Sequence, residues 1–412
     1  MAETSTIVVN NYKTIKSLGK GSFGSVHKGV YILNRNEVNN MPRTLAIKII
    51  KKKQLKKEYI IAEINIMLKL NSENNQNIIK LYDIAQDEEK ICLLMEYCPY
   101  KDLSSYMERH FPKNNNNNIS NYNNDPLIGP WDGFNELIVL YFIFQLTSAI
   151  KCMNEINICH RDLKPQNILL TYDPERRLHA LPRDTFSYPT SYCLVHLPIL
   201  KVTDFDFAKI LSSEDLTATM LGTPNYMAPE ILNGKHYSNL ADLWSVGVIL
   251  YQLAASKLPY TATSREELGM IVTSNDIDFY FPGEENFENE DKTSYDPNAF
   301  CPEIKKLIRN LLIKNSKKRI SYEEFFKFVN GKLKSKWDLY RDTFKHLDKN
   351  EKEKDLGPND EINIEYDENH SIQFIPIPKD LTNKFVELIS KSHQSTNESY
   401  FDDSDYSIIY SD

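Results

Sequence analysis

The sequence predicts an α+β protein with two unequal lobes, because its residue pattern changes near residue 100. Before that point, short runs of β-branched and aromatic residues predict five strands, with one segment of helical spacing among them. After it, longer apolar segments with helical spacing predominate. The fold class that fits both patterns is a small lobe of five strands and one helix, followed by a larger, mainly helical lobe.

The strands of the small lobe are predicted from runs rich in Val, Ile and Tyr. The first three are IVVNNYKTIKSLG (7–19), GSVHKGVYIL (24–33) and RTLAIKII (43–50). The segment YIIAEINIMLKL (59–70) spaces its apolar residues as a helix does. The last two strands are NIIKLYDIAQD (77–87) and KICLLMEYC (90–98), which meet at an acidic turn.

The larger lobe is predicted from four helical segments, at 134–156, 238–256, 302–313 and 321–337. The most apolar run is 137–150, which is too short to cross a bilayer and contains Gln145. We therefore expect it to be a buried core helix.

Two segments are interpreted as insertions, at about 112–130 and 171–198. The first is an Asn-rich polar tract that cannot bury enough apolar surface to fold, and the second has four prolines and no clear period. We expect one domain over 12–330, an N-terminal extension over 1–11, and an acidic, partly disordered extension over 331–412.

Charge and cysteine content exclude several classes of protein. The net charge is −8, and residues 351–412 hold 15 acidic residues against five lysines (net −10), so the remainder carries about +2. This balance argues against a nucleic-acid-binding protein. Six scattered cysteines without a C-x-x-C pair fit free thiols in a reducing compartment. Since no secretory signal is visible either, we expect a cytoplasmic protein without a transmembrane segment.

A glycine-rich segment, LGKGSFGSV, lies between the first two predicted strands. A loop between two strands can cover a triphosphate with its backbone N–H groups, because glycine permits close approach. A plain hairpin turn is the alternative reading of this segment alone. The candidate nucleotide-binding residues here are Leu18, Gly19, Lys20, Gly21, Ser22, Phe23, Gly24, Ser25 and Val26.

Lys48 lies on the third predicted strand, within LAIK. A lysine that points inward from a strand is costly unless it is paired, and Glu63 on the predicted helix is a suitable partner. Lys48 would then contact phosphates while Glu63 fixes its position. The alternative for Glu63 is a solvated helix face.

The loop HRDLKPQN (160–167) crowds polar residues between apolar segments. Asp162 can accept the proton of an attacking hydroxyl, and Lys164 can neutralise charge on a transferred phosphoryl group. Asn167 and Asp204, the latter in VTDFDFAK, can supply oxygen ligands to Mg²⁺. Phosphoryl transfer needs mostly positioning and charge stabilisation, and these residues offer both.

These features occur in the order that is typical of protein kinases, which the chain resembles over roughly residues 12–330. The resemblance implies the bilobal protein-kinase fold, with ATP and Mg²⁺ as cofactors. It also implies an adenine pocket guarded by Met95, with the hinge at Glu96–Cys98. The residues implied to sandwich the adenine ring are Val26, Ala46 and Leu169.

The resemblance assigns further roles outside the nucleotide site. Thr223 would bridge Asp162 and Lys164. Glu230, the last residue of GTPNYMAPE, would pair with Arg319. Asp242, in ADLWSVG, would hold the backbone of the catalytic loop.

Two details narrow the class. Lys164 and the segment GTPNYMAPE resemble those of serine/threonine kinases. The runs HRDLKPQNILL and HYSNLADLWSVGVILYQL look most similar to the autophagy-initiating kinases. The resemblance therefore implies transfer of the ATP γ-phosphoryl group to serine and threonine hydroxyls of protein substrates.

One residue departs from the family pattern. Asp206 occupies the position where the family has the glycine of D-F-G, so we expect restricted switching of this segment and an effect on metal affinity. The alternative to an active enzyme is a kinase-fold binding or scaffold module with weak or no activity. Because Lys48, Asp162 and Asp204 are all present, the enzyme is favoured.

Two short segments predict regulation or binding. Arg161 would meet a phosphate on the activation segment, where Ser212, Ser213, Thr217 and Thr219 are candidates and Thr219 is favoured by its spacing. Near the end of the chain, Tyr406 and Ile409 follow acidic residues and resemble a motif that docks on ubiquitin-like autophagosome proteins. A frayed acidic tail is the alternative.

Overall fold

The structure of the chain is a computed structural model. The residues it describes are 7–20, 24–32, 42–53, 57–111, 127–129, 132–171, 178–182, 191–206, 208–210, 224–234, 240–274, 278–282, 284, 300–338 and 375–376.

The small lobe is an antiparallel sheet with α1 packed against it, as predicted. Its strands, in the sheet order β1-β2-β3-β4-β6-β5, are β1 (Val8–Val9), β2 (Tyr12–Lys20), β3 (Gly24–Tyr31), β4 (Thr44–Lys51), β5 (Leu81–Gln86) and β6 (Lys90–Met95). Helix α1 spans Lys57–Ser72. The predicted first strand is divided in two, because a turn at Asn10 has a φ of 49°, a conformation that asparagine tolerates.

Strand β4 separates two apolar layers because its side chains alternate in direction. Leu45, Ile47 and Ile49 pack into a small cluster on the outer face of the sheet. Ile50 belongs instead to the main core, which continues into the large lobe. Lys48 has the same parity as Ile50, so its side chain lies on the inner face.

The large lobe is mainly helical, which confirms the predicted two-lobed α+β fold. Its helices are α2 (Leu103–His110), α3 (Glu136–Glu155), α4 (Pro229–Leu232), α5 (Leu240–Ala255), α6 (Arg265–Thr273), α7 (Pro302–Leu311) and α8 (Tyr322–Phe328). A π-helical turn, Val329–Leu333, continues α8. The sequence patterns missed α2, α4 and α6, which are short.

Helix α3 is the centre of the large lobe. It begins where the Asn135 side chain accepts hydrogen bonds from the backbone of Leu137 and Ile138. Among the described helices it alone is long and apolar enough to span a membrane, but 78% of its apolar window is buried inside the protein. The predicted core helix at 137–150 is therefore confirmed.

A two-stranded ribbon lies beneath the small lobe. It consists of β8 (Ile168–Thr171) and β11 (Ile199–Val202), which pair antiparallel so that Thr171 faces Ile199. The described part of the segment between them is a hairpin of β9 (Leu178–Pro182) and β10 (Ser191–His196). A third strand, β13 (Ile375–Pro376), pairs with β10, so the C-terminal extension contributes to this sheet.

Two further short strands complete the described structure. They are β7 (Ile158–Cys159) and β12 (Lys209–Ile210), which pair antiparallel. This pairing connects the residues just before the catalytic loop with those just after Asp206. The Asn-rich tract that was predicted to be unfolded lies largely outside the described residues.

Candidate active site

Lys48 is the centre of a charged cluster between the lobes. Its Nζ lies 2.8 Å from Oε1 of Glu63, whose side chain on α1 is only 4% exposed. The same ammonium lies 3.5 Å from Oδ1 of Asp204 and also contacts Asp206. Burial lowers the pKa of Lys48, but the carboxylates of Glu63, Asp206 and Asp204 outweigh it and hold that pKa well above its usual range. Lys48 is therefore charged at neutral pH.

Asp204 and Asp206 reach this cluster from one short segment. Burial raises the pKa of both carboxyl groups, and the neighbouring carboxylates add to the effect against the opposing charge of Lys48. Asp204 has a left-handed φ of 66°, whereas Asp206 is not among the described residues of positive φ. An aspartate therefore replaces glycine at 206 without left-handed backbone strain.

Asp162 lies at the centre of the catalytic loop, within reach of the other two predicted catalytic residues. Its Oδ2 lies 2.6 Å from Nζ of Lys164 and accepts a hydrogen bond of 3.0 Å from Nδ2 of Asn167. Asn167 also donates to the backbone oxygen of Asp162 at 2.8 Å. The loop ends in a 3₁₀ turn, Pro165–Asn167, which leads directly into β8.

The loop backbone is held by Asp242 at the start of α5. Its carboxylate, 1% exposed, accepts hydrogen bonds from the backbone N–H of His160 at 2.8 Å and of Arg161 at 3.0 Å. Arg161 has a φ of 69°, which costs energy for a residue other than glycine. The charge-assisted bonds to Asp242 stabilise this strained turn.

His160 connects the catalytic loop to the segment that carries Asp204. Its Nε2 lies 2.9 Å from the backbone oxygen of Thr203, and its ring packs against Phe205 with a centroid distance of 5.0 Å. The backbone N–H of Thr203 also donates to the backbone oxygen of Asn167 at 3.0 Å. Asn167 and Asp204 are thus brought to the same end of the β8–β11 ribbon.

These two residues suit a magnesium ion that also binds phosphates. Both hydrogen bonds of the Asn167 amide use Nδ2, which leaves Oδ1 as the ligand atom. The Asp204 side chain is 38% exposed and so can reach an ion in the cleft. No cluster of three or more His, Cys, Asp or Glu side chains that could hold a metal occurs in the described chain. Mg²⁺ typically needs only one or two protein ligands when phosphates supply the rest.

The residues of the predicted adenine site lie around the end of β6. Ala46 on β4 is the strand partner of Met95, and Val26 on β3 is the partner of Lys48. Leu169 forms an isolated antiparallel β-bridge with Asp102, and Asp102 follows the hinge in the chain. These pairings place Ala46 on the strand next to β6, Val26 one strand further away, and Leu169 beside the residue that follows the hinge by four positions.

The hinge itself carries an ion pair that the sequence patterns did not predict. Nζ of Lys201, on β11, lies 2.8 Å from Oε2 of Glu96, and both side chains are mostly buried. Burial raises the pKa of the neighbouring Cys98 thiol, and the Glu96 carboxylate raises it further. A lysine within the apolar run ILKV was the available signal for this pair.

The described residues at the two ends of the glycine-rich segment pair with each other in β2 and β3. Gly19 pairs with Val26 and Lys20 pairs with Ser25. A Cβ on Gly24 would lie 2.0 Å from the backbone oxygen of Ile49, so this glycine is required by the neighbouring strand. Several predicted residues lie outside the described chain, namely Gly21, Ser22, Phe23, Ser212, Ser213, Thr217, Thr219, Thr223, Tyr406 and Ile409.

Glu230 and Arg319 form a buried pair, as the family resemblance implied. Nη1 of Arg319 lies 2.7 Å from Oε1 of Glu230, and Nη2 lies 2.8 Å from Oε2. Nη1 also donates to the backbone oxygen of Leu240 at 3.0 Å. The pair joins α4 to the segment just before α8.

A family model for the protein kinase domain matches residues 12–329. The chain therefore belongs to the protein kinase family, and the predicted family is confirmed.

The curated relatives that the chain resembles are serine/threonine kinases. The chain is 35% identical to serine/threonine-protein kinase ATG1 of Chaetomium globosum over 328 residues, which are 77% of this chain and 32% of that protein. The corresponding protein of Penicillium rubens is 35% identical over 331 residues, again 77% of this chain and 32% of the relative. That of Pyricularia oryzae is 34% identical over 318 residues, 75% of this chain and 30% of the relative. The predicted similarity to the autophagy-initiating kinases is confirmed, although the chain spans only about a third of these relatives' length.

Proposed function

We propose that this chain transfers the γ-phosphoryl group of ATP to serine and threonine hydroxyls of protein substrates. The observation that supports this most directly is the catalytic loop, in which Lys164 and Asn167 both contact Asp162. The loop is joined through Asn167 and Thr203 to the segment that carries Asp204. General base, cationic group and metal-ligand oxygens therefore lie close to one another, as phosphoryl transfer requires.

Asp162 is the residue that accepts the proton of the attacking hydroxyl. Its Oδ2 is fixed by Lys164 and Asn167, so the carboxylate is oriented before substrate arrives. Lys164 is also close enough to neutralise negative charge that develops on the transferred group.

Lys48 would bind the phosphates of ATP while Glu63 fixes its position. Asn167 and Asp204 would hold Mg²⁺, which would neutralise the negative charge of the phosphates. Met95, Glu96 and Cys98 would border the adenine ring at the hinge, with Val26, Ala46 and Leu169 packing against its faces.

Phosphate transfer tests this proposal directly. The full chain, Asp162→Asn and Asp83→Asn are incubated with Mg²⁺, γ-labelled ATP and a library of serine- and threonine-containing peptides. Asp83 is an exposed residue of β5, so its variant controls for the loss of one charge. We expect label on peptides with wild type and Asp83→Asn, and a loss of about 100-fold or more with Asp162→Asn. Equal incorporation by all three would favour the kinase-fold binding module.

Phosphorylation of the activation segment follows from the same function. We propose that Arg161 contacts a phosphate on Thr219 and that Thr223 bridges Asp162 and Lys164, although both threonines lie outside the described residues. Mass spectrometry of active protein should find phosphate within 212–219. Full activity without any phosphate in that range would contradict the proposal.

The C-terminal segment is a candidate for partner binding in the cytoplasm. Docking of Tyr406 and Ile409 on a ubiquitin-like protein is supported only by the sequence pattern, because both residues lie outside the described chain. A pull-down that compares wild type with the double variant Tyr406→Ala, Ile409→Ala tests this docking. Equal capture of the ubiquitin-like protein by both would contradict it.

A further inference from the structure

Asp206 contacts Lys48, the residue that binds the phosphates of ATP in the proposed function. Its carboxylate contacts Nζ of Lys48 and is mostly buried, with 13% of the side chain exposed. Two other carboxylates contact the same ammonium, from Glu63 at 2.8 Å and Asp204 at 3.5 Å. The cluster of one lysine and three carboxylates carries a formal charge of −2 when all are ionised.

The three carboxylates use the full donor capacity of Lys48. An ammonium group has three N–H donors and no acceptor, and the three carboxylates match them in number. A phosphate oxygen that binds Lys48 must therefore displace a carboxylate.

The three carboxylates differ in how readily they can leave. Glu63 is only 4% exposed and is held by α1. Asp204 makes the longest contact, and its side chain is 38% exposed, so it can turn away towards a metal ion. Asp206 stays on Lys48 after that movement, because its side chain is mostly buried beside the ammonium.

We propose that Asp206 sets the affinity of the site for nucleotide, because its carboxylate competes with the phosphates for Lys48. This inference rests on the proposed function, in which Lys48 binds ATP. Asp206 also adds a negative charge next to a site that must accept a polyanion. Both effects act in the same direction and weaken ATP binding.

Binding measurements on the full chain test this inference without relying on catalysis. Dissociation constants for ATP are measured by calorimetry, with and without Mg²⁺, for wild type, Asp206→Asn, Asp206→Gly and the surface control Asp83→Asn. The asparagine variant keeps the size of the side chain and removes its charge, and the glycine variant removes the side chain. Two variants are used so that a folding defect in one leaves the other for measurement.

We expect both Asp206 variants to bind ATP about tenfold more tightly than wild type, since a hydrogen bond between charged groups is of that strength. The gain should persist without Mg²⁺, and Asp83→Asn should bind as wild type does. In steady-state assays the KM for ATP should fall without a matching fall in kcat.

Three outcomes would contradict the inference. Unchanged dissociation constants for both variants would show that Asp206 does not compete for Lys48. Weaker binding in the variants, seen only with Mg²⁺, would identify Asp206 as a metal ligand instead. Absence of ATP binding by wild type and every variant would overturn the proposed function itself, and the inference with it.

Discussion

The guanidinium of Arg319 and the carboxylate of Glu230 form a two-point ion pair with N–O distances of 2.7 and 2.8 Å. The Arg319 side chain is fully buried, and its Cζ lies 5.2 Å from the centre of the Trp244 ring. Such a pair depends on both partners, since each charge alone would be buried without compensation.

Loss of either partner should therefore destabilise the large lobe. We expect Arg319→Ala and Glu230→Ala each to reduce the free energy of unfolding by about 3–5 kcal/mol, measured by urea denaturation. The double variant should cost less than the sum of the two. Lys151→Ala is the control, because Lys151 and Glu155 form an exposed pair at 3.7 Å. Additive losses in the double variant would contradict the prediction.

Two glycines of the β2–β3 hairpin should respond differently to alanine. Gly24→Ala should lower the free energy of unfolding by about 1–3 kcal/mol, because the new Cβ would meet the Ile49 backbone. Gly19→Ala should have little effect, since a Cβ at that position would meet no atom within 4 Å. Thermal unfolding compares the two, and equal losses would show that the strand contact is unimportant.

Asp242 should matter for both stability and turnover. Asp242→Asn leaves only one acceptor oxygen, so one of the N–H groups of His160 and Arg161 loses its partner. We expect the free energy of unfolding to fall by about 1–3 kcal/mol. We also expect kcat to fall more than KM for ATP changes, because the strained loop carries Asp162. Steady-state kinetics would contradict this if only KM rose, and Asp83→Asn controls for lost charge.

Ionisation of Tyr226 should lower the stability of the folded protein at high pH. Burial raises the pKa of this phenol from 10.0 to about 12, although its hydrogen bond to Gln252 partly opposes the shift. A raised pKa stabilises the folded state below pH 10, and this contribution is lost as the pH rises towards 12. Tyr226→Phe should therefore lose less stability over that interval than wild type.

Urea unfolding at a series of pH values measures this difference. The control is Tyr280→Phe, which alters a tyrosine whose side chain is 55% exposed. Parallel curves for wild type and Tyr226→Phe above pH 10 would contradict the prediction.

The positions of the site residues could be predicted from the sequence where residues close together in the chain determine them. Strand alternation puts Lys48 on the inner face of β4, and the short loop 160–167 brings Asp162, Lys164 and Asn167 together because they are close along the chain. The Glu230–Arg319 pair came only from the family resemblance, since 89 residues separate its members. Such a separation leaves no trace in local periodicity.

Other contacts could not be predicted from local patterns. The pair of Lys201 and Glu96 and the contact of Asp206 with Lys48 both depend on how distant strands approach each other. Strand β13 pairs with β10 across a separation of about 180 residues. Local residue patterns do not predict such a pairing, because strand formation depends strongly on tertiary context.

Thr171 and Ile199 face each other across the ribbon, so the β9–β10 hairpin leaves and rejoins the chain at a single point. The hairpin could therefore be removed from the chain without interrupting the pairing of β8 with β11. A short turn grafted between the two residues would close the ribbon again, while Asn167 and Asp204 lie at its opposite end. Excision would also remove β10, the only described strand that pairs with β13, so it would release the C-terminal extension from this sheet.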